Sequence, residues 1–417
     1  MLAVPDLAIL SADAAKIDRP YLTPQPVDLS QPLTLNAVAV IAVLANPDLK
    51  ALRTRTGVTD AQAFAARLLP DPTGQIGFDK LLSGPDSLSG FAGQLGFDLN
   101  ALRTRRVNRE AGDASKQQVR LDLAWAEWQV SRNAQIQAVR VVSLTRQLEI
   151  ARTSAASAQD LLARVQKASG RGDLAGTDTD IRRLAVLDAS ARLRTAERDL
   201  SAAQQDLNRL IGLPPELTIR LAALPLSRVP PDAATLTAQA IDRRLDLAAL
   251  RAGYGVGEAN LHKAVLDQFP NLSLTLASAR DTAGNLTMGP QIGFALPLWN
   301  RNRGGIAVAS ATREQLRAEY DARLFQTRAE IAAGVAGLDV LRRQMTELVA
   351  QIPAIEIFAG TTARAARRGD LSFAVAETAA QSLRDRQSGL AVLEQQITEQ
   401  TIALELLAGG PSEGWTR

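Results

Sequence analysis

The chain has 417 residues, with 47 basic and 44 acidic side chains, a formal charge of +3, one histidine and no cysteine. Disulfides and thiolate metal sites are thereby excluded, and charge so close to balance argues against nucleic acid as a partner. Aromatic residues make up only 4%, low for a large globular core, while Ala, Leu, Gln, Arg and Glu dominate as in long helices and coiled coils. No stretch approaches the roughly 20 consecutive apolar residues of a membrane-spanning helix. The opening MLAVPDLAILSADAAKIDRPYL lacks a basic stretch followed by an apolar core, so no secretory signal is visible in it.

In chain order, residues 1–32 carry five prolines and little pattern, and read as an extended arm. A helix is predicted from about Leu33 to Leu69, broken near Pro47, followed by a strand hairpin over about 74–102. A proline-free helical tract runs from about Arg103 to Ile211, interrupted around Gly170-Arg171-Gly172 and ended by Pro214 and Pro215. Residues 217–231 form a Pro-rich linker. The same order then returns: a helix over about 232–268, a hairpin over about 271–299, a helix from about 301 to a break at Gly369, and a last helix to Leu407. Two structural repeats, 33–216 and 232–413, are the expectation, with 414–417 as a tail.

The repeats share residues at an offset of 197: Gln94, Gly96, Phe97 and Leu99 recur as Gln291, Gly293, Phe294 and Leu296. Arg171-Gly172-Asp173-Leu174 recurs as Arg368-Gly369-Asp370-Leu371, and Gly212, Pro214 and Glu216 recur as Gly409, Pro411 and Glu413. A gapless offset over that length means that helix length itself is kept. Two copies are too few for a solenoid.

From Arg103 to Ala168 an uninterrupted helix would span roughly 100 Å and needs a lateral partner throughout. Val186, Ala189, Leu193, Ala196, Leu200, Ala203, Leu207 and Leu210 follow 3-4 spacing, a coiled-coil seam. Its counterpart is Leu383, Arg386, Leu390, Leu393, Ile397, Gln400, Leu404 and Leu407, with two polar lapses.

In the hairpins Leu272, Leu274 and Leu276 alternate with Ser273, Thr275 and Ala277. Ile292, Phe294 and Leu296 alternate with Gln291, Gly293 and Ala295, as Leu95, Phe97 and Leu99 do with Gln94, Gly96 and Asp98. One apolar and one small or polar face suits a strand of a membrane barrel; alternation alone favours a hairpin over a soluble core, but helices of roughly 100 Å leave no compact core for the hairpins to cover. Four strands cannot close a barrel, eight fill their own interior, and twelve leave a lumen. If the barrel reading holds, the smallest oligomer with a pore is a trimer.

The order helix, hairpin, long helix, turn, helix, stated twice, resembles the TolC-like outer-membrane efflux family. The resemblance covers about 33–413 and is carried by Pro270-Asn271-Leu272, by Gly293-Phe294-Ala295-Leu296-Pro297-Leu298-Trp299-Asn300-Arg301, by the Arg-Gly turns and by the terminal Leu-x-Gly-x-Pro. Arg19-Pro20-Tyr21-Leu22 ahead of Asn46-Pro47-Asp48-Leu49 resembles its lipoprotein-type branch, which carries an acylated cysteine, a residue type these 417 lack. The resemblance implies a mainly α fold with a β-barrel portion: a homotrimer with a twelve-strand barrel in the outer membrane and a twelve-helix coiled-coil tunnel in the periplasm. Such a trimer is the channel of a tripartite efflux or type I secretion system. It docks a periplasmic adaptor and is driven by an inner-membrane transporter of RND or ABC type.

No phosphate loop, metal-spaced cluster or nucleophile elbow appears, so no catalytic, cofactor or metal residues are expected. His262 reads as a surface or packing residue, Trp125 and Trp128 as helix packing, and Trp299 as interfacial or packing. In Arg171-Gly172-Asp173-Leu174 and Arg368-Gly369-Asp370-Leu371 the glycine suits a left-handed helix end and the aspartate suits a cap for the next helix. The resemblance adds that both turns are adaptor-contact tips. It also makes Asp178, Asp180 and Glu377 pore-constriction candidates, against the reading of solvated helix-start carboxylates. Leu272, Leu274, Leu276, Ile292, Phe294 and Leu296 are the lipid-facing candidates. A soluble coiled-coil scaffold with hairpin-mediated contacts is the alternative from another class.

Overall fold

The computed structural model describes residues 7–80, 82–84, 88–225, 228–412 and 415. The first six residues of the arm, residues 226 and 227 of the linker, Glu413 and most of the 414–417 tail lie outside these. The chain forms two compact units, each assembled from distant segments: Met1–Ala51, Trp125–Arg244 and Gln326–Arg417, and Leu52–Ala124 with Leu245–Phe325.

The first unit is helical. It holds α1 (Leu7–Ala14), α2 (Leu35–Ala45), the start of α3 (Pro47–Ala65), and α4 (Leu99–Gly170) from Trp125 onward. It also holds α5 (Gly176–Leu210), α6 (Ala233–Arg243), α8 (Arg303–Arg368) from Gln326 onward, and α9 (Phe373–Ala408). α2 reads Leu-Asn-Ala-Val-Ala-Val-Ile-Ala-Val-Leu-Ala, apolar on every side, and is buried on every side as such a helix must be. Thr34 caps it by accepting from the Ala37 amide at 3.1 Å. The arm is not wholly extended. α1 buries Leu10 and Ala14 beside α2, Ile17, Leu22 and Val27 continue into the same core, and Leu33 bridges Leu221 in parallel.

The seam of α5 behaves as its spacing predicts: Leu200, Ala203 and Leu207 are buried and the other five positions are half-buried. On α9 Ile397 and Leu404 are buried while Arg386, one of the two lapses, is exposed. α9 buries a second face as well, because α4 lies against it: Arg132–Glu405 at 2.6 Å, Arg140–Glu399 at 2.9 Å and Arg146–Glu394 at 2.7 Å tie the two helices.

The duplication reaches the helix breaks. α2 ends at Asn46, whose side-chain amide donates to the Leu210 carbonyl at 2.8 Å; α6 ends at Arg244, whose guanidinium reaches the Leu407 carbonyl at 3.5 Å. Leu210 and Leu407 are counterparts at the ends of α5 and α9, where carbonyls lack helical partners. Gly212 and Gly409 lie against these same breaks. The expected single helix over 232–268 is therefore two, and Arg244, 1% exposed, sits on the Trp125 ring. Pro353 lies inside α8 without ending it.

The second unit holds the rest of α3, the first turns of α4 and α8, α7 (Leu245–Leu266) and an antiparallel sheet of β1 (Thr73–Asp79), β2 (Gly90–Asp98), β3 (Leu272–Arg280) and β4 (Leu286–Phe294). The strands lie in the order β1-β2-β3-β4. Its helices approach closely: a Cβ on Gly257 of α7 would lie 2.9 Å from a Leu316 methyl of α8. Asp60 of α3 meets Lys116 at 3.2 Å and Arg120 at 3.1 Å on α4.

Candidate functional site

The turns between α4 and α5 and between α8 and α9 have the same construction. Gly172 and Gly369 adopt φ of 84° and 87°. The amides of Asp173 and Asp370 donate back to the Ala168 and Ala365 carbonyls, each at 3.0 Å, the closure of a Schellman motif. All eight residues of the two tips are exposed. The capping role expected of the aspartates is overturned. Asp173 pairs with Arg171 at 3.2 Å and Asp370 with Arg368 at 3.0 Å, each held across the glycine. α5 begins at Ala175 with no side-chain cap, and α9 is capped by Ser372, whose side chain accepts from the Val375 amide. Beside the second tip, Arg164 of α4 lies 4.7 Å over the Phe373 ring.

Of the three acidic candidates, Asp180 pairs with Arg183 at 3.0 Å and Glu377 pairs with Arg384 on its own helix. Asp178 meets no basic side chain among the described residues. Positions two apart on a helix diverge by about 200°, so Asp178 and Asp180 flank the buried Thr179 on opposite sides. Glu377 lines a groove of about 780 Å³ among α4, α5 and α9, together with Asp188 and Asp385; Asp178 and Asp180 do not line it.

The sheet sorts its side chains by face. Leu272 opposes Phe294, Leu274 opposes Ile292 and Phe97, and Leu276 opposes Leu95. Directly paired residues share a face, so these seven form one apolar surface, extended by Ile76 and Phe78, which are 81% and 69% exposed. The other face pairs Gln75 with Gln94, Gln94 with Ala277 and Thr275 with Gln291. Leu296 lies past the end of β4, outside this surface, and is exposed. Trp299 is 86% exposed in the single chain; Trp125 and Trp128 are buried, and His262 is exposed. Among the described residues, no group of three or more His, Asp or Glu could hold a metal ion.

A family model described as outer membrane efflux protein matches residues 236–410. Nearly the whole chain shares its fold with solved channels of low sequence identity. CusC is 19% identical with a TM-score of 0.75, covering 98% of this chain and 99% of its own, and the work on it concerns transmembrane channel formation. VceC, an outer membrane protein of Vibrio cholerae, is 17% identical with a TM-score of 0.74 over 91% of this chain and 97% of its own. CmeC, an outer membrane channel of Campylobacter jejuni, is 14% identical with a TM-score of 0.76 over 92% and 86%. No curated protein matches the sequence. The efflux-protein match runs from α6 to the end of α9, and the fold likeness extends over nearly the whole chain.

Proposed function

We propose that three copies of this chain close into a twelve-strand barrel in the outer membrane. The barrel continues into a periplasmic tunnel of twelve helices, to which each copy brings α4, α5, α8 and α9. The trimer is the passive exit duct of a tripartite efflux or type I secretion system and performs no chemistry of its own. One observation carries this reading: a four-stranded sheet with one face apolar except for Ser278 and Arg280 toward the hairpin turns, an opposite face of Gln, Thr, Ser, Gly, Ala and Asp, and open edges at β1 and β4. Unpaired edges and an exposed apolar face are both costly in water. Closing β4 of one copy on β1 of the next removes the edges, and lipid covers the face.

On this reading Leu272, Leu274, Leu276, Ile292 and Phe294 face lipid, with Leu296 at the membrane edge. The repeats 33–216 and 232–413, joined by the 217–231 linker behind the 1–32 arm, each give one hairpin and one helix pair. The Arg-Gly-Asp-Leu tips receive the adaptor, and Asp178, Asp180 and Glu377 narrow the entrance beyond them. The inner-membrane transporter, of RND or ABC type, supplies the energy.

The test compares Ile292→Arg with Gln291→Arg, neighbours on opposite faces of β4. Near mid-bilayer the first should cost roughly 2–4 kcal/mol and the second little. Heat-modifiable trimers should be lost only in Ile292→Arg. Equal yield from both variants, or a native protein that fractionates as a soluble dimer, would remove the barrel.

A further inference from the structure

The order β1-β2-β3-β4 brings all four strand–helix junctions to one end of the sheet, because β1 and β3 begin there and β2 and β4 end there. Each junction exposes a large apolar side chain: Leu68 ahead of β1, Leu102 in the first turn of α4, Phe269 ahead of β3, and Leu296 with Trp299 after β4. These exposed side chains cluster in sequence at the end of the sheet where the strands meet the helices. Among them stand Arg301 and Arg303, both exposed and neither meeting a carboxylate among the described residues. The turn that carries them is held in place: Arg301 and Asn302 adopt φ of 45° and 50°, and the Asn302 amide donates to the Ala264 carbonyl of α7 at 2.8 Å.

Large apolar side chains with a wet polar rim suit the boundary layer of a bilayer, where tryptophan collects and arginine keeps its charge at headgroup level. Cations left without a carboxylate at that level are complementary to phosphate. We infer that this end of the sheet is a collar for anionic phospholipid of the leaflet nearest the helices, with Phe269 and Trp299 in the interfacial layer and Arg301 and Arg303 on the phosphate. The inference rests on the barrel reading and names the lipid class that it would hold.

The experiment uses the full chain in vesicles of equal phosphatidylglycerol and phosphatidylcholine, with brominated acyl chains on one lipid at a time. The Trp299 signal is the emission lost on Trp299→Phe. Bromines near the headgroup should quench it, and brominated phosphatidylglycerol should quench at least twofold more than brominated phosphatidylcholine. Arg301→Gln with Arg303→Gln should equalise the two lipids while leaving total quenching in place. Quenching of a Phe294→Trp reporter without quenching of Trp299 would overturn the collar and leave the barrel standing. Quenching of neither would overturn both. Equal quenching by the two lipids in the native chain, or loss of the preference on adding inorganic phosphate, would overturn recognition of an anionic lipid.

Discussion

Gly172 and Gly369 at the tips, and Gly212 and Gly409 at the helix roots, all have positive φ, yet their surroundings differ. A Cβ on either tip glycine meets nothing within 4 Å, so only the left-handed backbone resists substitution. At the roots a Cβ on Gly212 would collide with the Ala45 carbonyl, and one on Gly409 would lie 2.9 Å from the Arg243 carbonyl carbon. Gly172→Ala and Gly369→Ala should each lower stability by about 1 kcal/mol, and Gly212→Ala and Gly409→Ala by at least twice as much, read from thermal midpoints of purified protein. Equal losses at all four would mean that the root contacts relax freely. Arg132 and Glu405 form a second residue-scale feature. Their side chains are 6% and 8% exposed, and Arg132 also lies 4.0 Å over the Trp128 ring. Glu405→Ala should cost about 3 kcal/mol by leaving the guanidinium buried without its carboxylate, and Arg132→Met with Glu405→Leu should recover most of that. A double variant no better than the single one would show that the charge itself is needed.

At the scale of elements, α3 is fastened to α4 by charge. Asp60 is held below the usual carboxylate range chiefly by Lys116, with Arg120 adding to it, and Asp113 chiefly by Arg67, which donates to it at 2.5 Å. A depressed folded-state pKa stabilises the docked helix above the unfolded pKa near 4, and that stability is lost as pH falls through the folded value. A spin label at Gly57, an exposed position on α3 with open space around it, should therefore gain mobility below about pH 4. Asp60→Asn should show the raised mobility already at neutral pH; a label indifferent to pH in both would mean that apolar packing alone holds α3. Elements were also what the sequence made most legible. The 3-4 seam gave α5 its buried face, the glycines gave the tips, and period-2 alternation gave the faces of β3 and parts of β2 and β4 but counted in Leu99 and Leu296, which lie beyond their strands. The helix in the arm was hidden because eight residues among prolines carry too few turns for a period to emerge. The break at Arg244 has no glycine or proline to announce it; its cause is tertiary, a guanidinium drawn onto Trp125 and the end of α9. The caps were misread because an aspartate after a glycine can turn back to an arginine two residues earlier as readily as forward to an amide.

For the whole molecule, the offset of 197 residues made the duplication legible, whereas the two compact units were not. Each unit joins segments that are far apart in the chain, and no local pattern records which distant segment meets which. The proposed entrance depends on the same long-range information. On sequence alone Asp178, Asp180 and Glu377 stood as equals. In the fold Asp180 and Glu377 have arginine partners, which cancel their field at a distance, and Asp178 has none among the described residues. In a threefold assembly an unpaired carboxylate is present three times around one axis, and such a ring favours cations. Asp178→Asn should therefore reduce cation over anion selectivity in planar-bilayer recordings more than Asp180→Asn or Glu377→Gln, with trimer yield unchanged in all three. Arg384→Gln should move selectivity the other way by freeing Glu377. If Asp178→Asn leaves selectivity unaltered while Glu377→Gln lowers it, the pair with Arg384 opens in the assembled duct, and the constriction lies on α9 rather than at the start of α5.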